Sequence, residues 1–303
     1  MKNRAHIPVL LNEVIDALAL KPGMTVVDCT LGLGGHSVAM LKRVLPKGRL
    51  LGIDFDPASI ETARAKLAAV PKSKGRFELF HNNFAALPTV IAQAGLEKAD
   101  AILADVGVSS PQIDDPARGF SYRQKGPLDM RMDPTRGQTA AAMINRMSEA
   151  DLAAAFLELG DETDAPQIAR LIIERRKDKP IETTQELTAV VCQARRFTLE
   201  RAAGAKLHPA ARAFQAVRIL VNRELANLDR LLAVAPDCLT PGGTVAIITF
   251  HSGEDRRVKH AFRDGERSGI YQEVAPDPIL ATEEEIAENP RSRAAKLRWA
   301  RRV

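Results

Sequence analysis

Three stretches of this 303-residue chain carry side chains whose types and spacing suit chemistry on a small ligand. The first is Asp28-Cys29-Thr30-Leu31-Gly32-Leu33-Gly34-Gly35-His36-Ser37, a glycine-rich turn between an apolar run and a helical pattern. Glycines tolerate positive φ and let a backbone approach a ligand closely, so such a turn reads as a ligand loop. The second is Asp54, at the end of the apolar run RLLGIDF. A carboxylate there can accept hydrogen bonds from both hydroxyls of a ribose. Its neighbour Asp56 precedes Pro57 and suits a helix cap, which leaves Asp54 for a ligand. The third is Asp105, which closes the run DAILAD and leads into Val106-Gly107-Val108-Ser109-Ser110-Pro111-Gln112. For Phe84, stacking on an adenine and ordinary core packing both stay open.

These residues need elements to hold them at one edge of a sheet. MTVVDCT (24–30), RLLGIDF (49–55), RFELFHN (76–82) and DAILADVGV (100–108) alternate with helical patterns, the signature of β-α-β units around a parallel sheet. Ligands bind such sheets at the carboxyl ends of the strands, where Asp28, Asp54 and Asp105 all fall. The fifth run, TVAIITF (244–250), comes only after the turn Pro241-Gly242-Gly243. Consecutive strands of such sheets are normally joined by one helix and short loops, so an insertion is expected. Ser148-x-x-Asp151 opens one helix that Gly160 can close, and Thr183-x-x-Glu186 opens another. The insert is placed at 110–212. One long return helix from near Pro209, with Phe214, Val217, Val221, Leu225, Leu228 and Leu232 at helical spacing, is expected to rejoin the sheet. The stretch 264–290, with Pro276, Pro278 and Pro290, reads as loose.

Net charge is +5, and its distribution says more than its size. Residues 190–223 hold Arg195, Arg196, Arg201, Lys206, Arg212, Arg218 and Arg223 against the single acid Glu200, and residues 291–302 add six basic side chains against none. The rest of the chain is net negative, so the cations suit an anionic partner such as RNA, or else form solvated helix faces. Three scattered cysteines, Cys29, Cys192 and Cys238, form no C-x-x-C pair, so neither a disulfide framework nor a metal site is expected, and a reducing cytoplasm fits. Asn12, Glu13 and Asp16 interrupt the apolar N-terminal stretch, against a signal peptide, and no segment reaches the length of a membrane span.

The glycine loop alone does not separate dinucleotide enzymes from S-adenosylmethionine enzymes. Ser37 stands where the dinucleotide fingerprint wants a third glycine or alanine, and a loop for adenosylmethionine need not hold a pyrophosphate. Beyond Asp105 the chain lacks the acid or amide followed by two prolines and an aromatic that many amino-group methyltransferases carry. It reads instead ADVGVSSPQIDDPARGFSYRQKGPLDMRMDPTRGQTA.

On that segment the chain resembles the bacterial small-subunit (16S) rRNA cytosine methyltransferases called RsmH or MraW. The resemblance runs nearly end to end, through HIPVLLNEV, GGHS, GVSSPQ, RGFS, GPLDMRMD, HPAARAFQAVRILVNREL, PGG, FHSGEDR and NPRSRAAKLR. One departure is Gly253, where the family usually has leucine. The resemblance implies an α/β fold, a Rossmann-like class I S-adenosylmethionine-dependent methyltransferase sheet (1–109 and 213–303) with an inserted α-helical substrate-recognition domain (110–212). It implies S-adenosylmethionine as cofactor, with Gly34, Gly35, His36, Asp54, Phe84, Asp105 and Gln112 as its contacts; His36 and Gln112 rest on the resemblance alone. It also implies N(4) methylation of a cytidine in the decoding region of small-subunit ribosomal RNA, in an assembled or partly assembled subunit, by a cytoplasmic protein. Monomer and homodimer both stay open. Asp105 is the candidate catalytic acceptor and His251, after the fifth run, a second candidate. Arg118, Arg131, Arg195, Arg196 and Arg212 are candidate RNA contacts, although Arg131 between two acids also suits an internal ion-pair hub. The competing classes are a nicotinamide-dependent dehydrogenase, against which Ser37 speaks, and a non-catalytic ribosome-assembly factor, against which the intact set from Gly34 to Gln112 speaks.

Overall fold

The computed structural model describes residues 7–205 and 207–303; Lys206 of the basic segment and His6 of the N-terminal motif lie outside the described residues. The chain forms two compact units, one running to Gly107 and resuming at Leu225, the other Val108–Glu224.

The first unit is built on eight strands: β1 (Thr25–Asp28), β2 (Arg49–Asp54), β3 (Phe77–His81), β4 (Ala99–Asp105), β5 (Leu239–Thr249), β6 (Tyr271–Val274), β7 (Ile279–Leu280) and β8 (Lys296–Arg302). Their order is β3-β2-β1-β4-β5-β8-β6, with β7 also on β8. The pairs among β1 to β5 are parallel and β8 runs antiparallel to β5. Successive side chains of a strand face opposite sides. In β4, Ile102 and Ala104 enter one apolar core while Ala101 and Leu103 enter the other; in β5, Val245 and Ile247 oppose Ala246 and Ile248. Both faces are therefore covered, which is why these strands read as unbroken apolar runs. Asp56 caps the helix Pro57–Ala68, its side chain accepting from Ala58 N.

Three expectations for this unit change. Pro241-Gly242-Gly243 lies inside β5, where the pairing with β4 jumps from Ala99↔Leu239 to Ala101↔Thr244; Gly242, at φ 77°, lets the chain bulge there. The stretch 264–290 is not loose: it holds the end of the helix Ser252–Arg267, then β6, β7 and the helix Glu283–Glu288. Part of the basic tail is β8, whose Arg298 is buried and donates to Asp255 at 2.7 Å, with Lys296 on the same carboxylate at 3.2 Å.

In the second unit, the helices Glu149–Gly160, Ala165–Asp178, Thr184–Ala194 and Ala211–Asn222 surround an apolar core that includes Phe156, Ile168, Leu187 and Phe214. Ser148 and Thr183 cap two of them as their spacing suggests. Gly160 ends the first by lying against the last: a Cβ there would stand 2.6 Å from Arg212 O. The expected single return helix is two, Ala211–Asn222 and Glu224–Val234, broken by Arg223 at φ 53°. Phe214 and Val217 belong to the helical core and Leu228 and Leu232 to the sheet core, so the division falls after Glu224 and not at 212. No described helix is long and apolar enough to cross a membrane.

Candidate active site

Strand order reverses at β1, which has β2 on one side and β4 on the other, and the crevice of such a sheet opens at the carboxyl ends there. Asp28, Asp54 and Asp105 are the last residues of β1, β2 and β4.

Asp28 is buried beneath the loop and accepts from Ser37 Oγ at 2.6 Å and from Thr30 N at 3.1 Å. Burial pushes its carboxyl above the usual range, although both bonds pull the other way. Ser37 is thus a partner of Asp28, and the position is closed to the tight helix–strand packing of the dinucleotide fingerprint. Gly34 has φ 78° and a Cβ there would meet Ala63 Cβ at 3.1 Å, so both backbone and space ask for glycine. Gly35 opens the helix Gly35–Val44, with Pro8 where a Cβ would go.

Asp54 Oδ2 accepts from Gly32 N at 2.6 Å and Oδ1 from Asp56 N at 2.7 Å, so one side chain fixes the glycine loop and the start of the next helix. Each carboxylate oxygen keeps acceptor capacity beyond one such bond. Burial pushes this carboxyl to about 6, against the two amides that favour its charge.

Asp105 donates its backbone N–H to Thr30 Oγ1 at 2.6 Å. Its Oδ1 is sealed from solvent and has no hydrogen-bond partner, while the side chain as a whole is 24% exposed. Oδ2 lies 3.9 Å from His36 Nδ1. Burial pushes the carboxyl to about 6; His36 opposes that rise, and Asp28 and Glu254 add to it. A partly accessible carboxyl raised to about 6 is the type of group that takes a proton during a reaction.

His36 is itself buried, its Nε2 donating to Val9 O at 2.9 Å. Phe84 is partly buried against the core on one face of the sheet, where it begins the short turn Phe84–Ala86. His251 follows β5 and precedes the helix Ser252–Arg267. Glu254 Oε2 accepts from Phe250 N at 2.9 Å, and Oε1 lies 3.1 Å from His251 Nε2 without hydrogen-bond alignment. A Cβ on Gly253 would come within 3.1 Å of His251 Nδ1, so this glycine leaves room for the ring. Sequence reasoning missed Glu254, which is buried; its place three residues after His251 is a capping-box signal.

The second unit holds the remaining candidates. Gln112 is buried, and its Oε1 accepts from Ser109 N at 3.0 Å at the start of the helix Ser110–Asp114. Arg131 makes two 2.8 Å bonds to Asp129, whose carboxyl burial raises but those bonds hold below the usual range. Arg118 donates to the carbonyls of Arg131 and Met132, and Asn222 brackets the same loop by accepting from Met132 N and donating to Met130 O. Arg195 donates to Pro209 O at 2.9 Å, lies 3.2 Å from Asp164, and faces the fully buried Glu162 at 3.7 Å. Arg212 donates to Asp161 O at 3.0 Å. Arg196 is exposed, with φ 55°. Four of the five arginines therefore have partners within their own unit, and a basic run in sequence is only partly a basic surface.

Five parallel strands, an antiparallel β8 between β5 and β6, a glycine loop after β1 and acids closing β1, β2 and β4 define a class I methyltransferase. Residues 3–303 match the model of the MraW methylase family, and the chain belongs to that family. It is 45% identical over 302 residues to the ribosomal RNA small subunit methyltransferase H of Koribacter versatilis, covering 98% of this chain and 94% of that one. With the protein of the same name from Solidesulfovibrio magneticus it shares 43% over 315 residues (98% and 95% covered), and with that of Methylibium petroleiphilum 44% over 310 residues (98% and 95%).

Proposed function

We propose that this protein transfers the methyl group of S-adenosylmethionine to the exocyclic amine of a cytidine in small-subunit ribosomal RNA. The observation that carries this reading is Asp105: a carboxyl at the sheet's carboxyl edge with an unpartnered, sealed oxygen, which burial pushes up to about 6. The site fits a cationic cofactor, with acids at three adjacent strand ends. Asp54 has acceptor capacity left for two ribose hydroxyls, and Phe84 offers a partly exposed ring for the adenine. S-adenosylmethionine supplies a methyl group whose bond to sulfur breaks as the amine lone pair forms the new N–C bond, the bonding pair staying on sulfur. The chain's own part is to orient the amine and take its proton at the Asp105 carboxyl.

Methylation at nitrogen, not at ring carbon 5, is supported by the cysteines. A carbon target needs a thiolate nucleophile. Burial pushes the Cys29 thiol far up, with Asp28 adding to it, and Cys238 to about 11; Cys192 is buried and likewise raised. Mass mapping of ribosomal RNA methylated in vitro with isotopically labelled donor is expected to show N(4)-methylcytidine. A labelled 5-methylcytidine would overturn the reading.

The helical unit is proposed to hold the RNA, and the substrate to be a partly assembled subunit; equal rates on short naked RNA would count against the latter. Arg195 and Arg196 separate structure from contact. Arg195→Ala leaves Glu162 without its cation, and a stability loss of about 1–3 kcal/mol is expected in thermal or denaturant melting, with the salt dependence of RNA binding unchanged. Arg196→Ala should leave stability intact and flatten the salt slope by up to about 0.7–0.9. The opposite assignment of these two effects would show that Arg195 is the phosphate ligand.

A further inference from the structure

We infer that His36 is a positioning residue for the proton transfer, its Nδ1 forming with the Asp105 carboxyl a pair that accepts and then shares the proton lost by the amine. The inference rests on the methyl-transfer reading above, and it concerns the ring and not the contact with cofactor that the family resemblance attaches to this residue.

The ring's tautomer is set from outside the site. A carbonyl can only accept, so the 2.9 Å bond to Val9 O places a hydrogen on Nε2 and leaves Nδ1 of the neutral ring as a bare acceptor. Val9 is in turn held by its flanks: Pro8 packs on Gly35, and Leu10 N donates to Glu285 Oε1 at 2.8 Å. Nδ1 faces Asp105 Oδ2 at 3.9 Å, near enough for the ring to act on the carboxyl. A shift of about 1 Å would bring them to hydrogen-bond distance.

The other charged groups around the pair are Asp28 from β1 and Glu254 from the helix Ser252–Arg267, both of which make a second negative charge at Asp105 costly. Asp28 also interacts with His36 itself. The unpartnered Oδ1 adds to that cost, since a sealed carboxylate oxygen with no donor is poorly stabilised. The carboxyl therefore takes a proton readily. In the step, the amine N–H bond breaks with its electron pair staying on nitrogen, the proton passes to the Asp105 carboxyl, and Nδ1 receives it from Oδ2, leaving an aspartate–imidazolium pair.

His36→Gln isolates the effect, because the glutamine amide can keep the donation to Val9 O while offering nothing at the Nδ1 position. The probe is the cofactor-free protein labelled with carboxyl-¹³C aspartate, titrated by NMR. The wild-type Asp105 signal should titrate near 6. In His36→Gln its midpoint should move upward by about one unit or more, because the ring becomes a cation once Nδ1 holds a proton and then favours the carboxylate, a charge the glutamine cannot carry. The alkaline-rising limb of saturated methyl transfer should move with it. An unmoved carboxyl midpoint in a folded variant overturns the inference. Imidazole ¹⁵N spectra of the wild type give an answer even if the variant does not fold: a neutral ring protonated on Nε2 upholds the pair, and one protonated on Nδ1 overturns it. A shifted midpoint in a protein that methylates no RNA would uphold the pair and overturn the function.

Discussion

Asp105→Asn is expected to lower the saturated rate of methyl transfer by about 10²–10⁴-fold, the usual contribution of a positioned acid–base group, with cofactor affinity changed by no more than a few fold. Asparagine keeps the shape, and the backbone bond to Thr30 Oγ1 does not depend on the side chain. What it loses is the ability to take a proton. Single-turnover rates with both substrates saturating, set beside calorimetric titration of S-adenosylmethionine, separate the two effects. Lost cofactor binding with a normal saturated rate would make Asp105 a cofactor ligand and nothing more. The wild-type rate should rise with pH through about 6, because the carboxylate and not the acid is the competent form, and the variant should lack that limb.

Asp54→Ala is expected to weaken S-adenosylmethionine binding by about ten- to a hundredfold, from lost hydrogen bonds to a charged acceptor worth about 1.5–3 kcal/mol. The geometry adds a second consequence. Because Asp54 also holds Gly32 N and Asp56 N, the cofactor-free variant should melt at a lower temperature than the wild type. Cofactor affinity of the wild type should fall as pH drops through about 6, since protonation removes the acceptor and its charge together. Unchanged affinity in the calorimeter would take Asp54 out of the site.

The residues that sequence reasoning placed well are those whose chemistry is local. A capping side chain bonds a backbone two or three residues away, so Asp56, Ser148 and Thr183 announce their helices. A strand buried on both faces is a continuous apolar run wherever it pairs, so β1, β2 and β4 were legible without knowing their order. Partners far along the chain were not. Nothing near Arg298 indicates that it is buried against Asp255, and nothing near Arg195 indicates Glu162 and Asp164, so both basic segments read as freer than they are. The helix break at Arg223 was hidden because the apolar stripe continues in phase on both sides of it, while its two halves feed different cores. Asp54 and Asp105 were legible from their places at strand ends, and the acceptor role of Gln112 toward Ser109 was legible, though missed, in the capping-box spacing Ser109-x-x-Gln112; the bond from His36 to Val9 was not, since it depends on a side-chain direction that spacing does not report.

The bonds that fix the beginning of the chain bear on the order in which the protein can mature as it is synthesised. Leu10 N waits for Glu285, and Ile7 O accepts from Asn289 Nδ2 at 3.1 Å, while Val9, between them, holds the ring of His36. Residues 7–10 therefore receive these partners only after Glu285 and Asn289 have been synthesised, and β5 gains its outer neighbour β8 later still. A chain arrested before residue 285 contains every acid and glycine of the site but not the clasp that sets His36. Synthesis through Asn289 is thus built into the geometry of the site: that stretch is what secures the residues on either side of Val9.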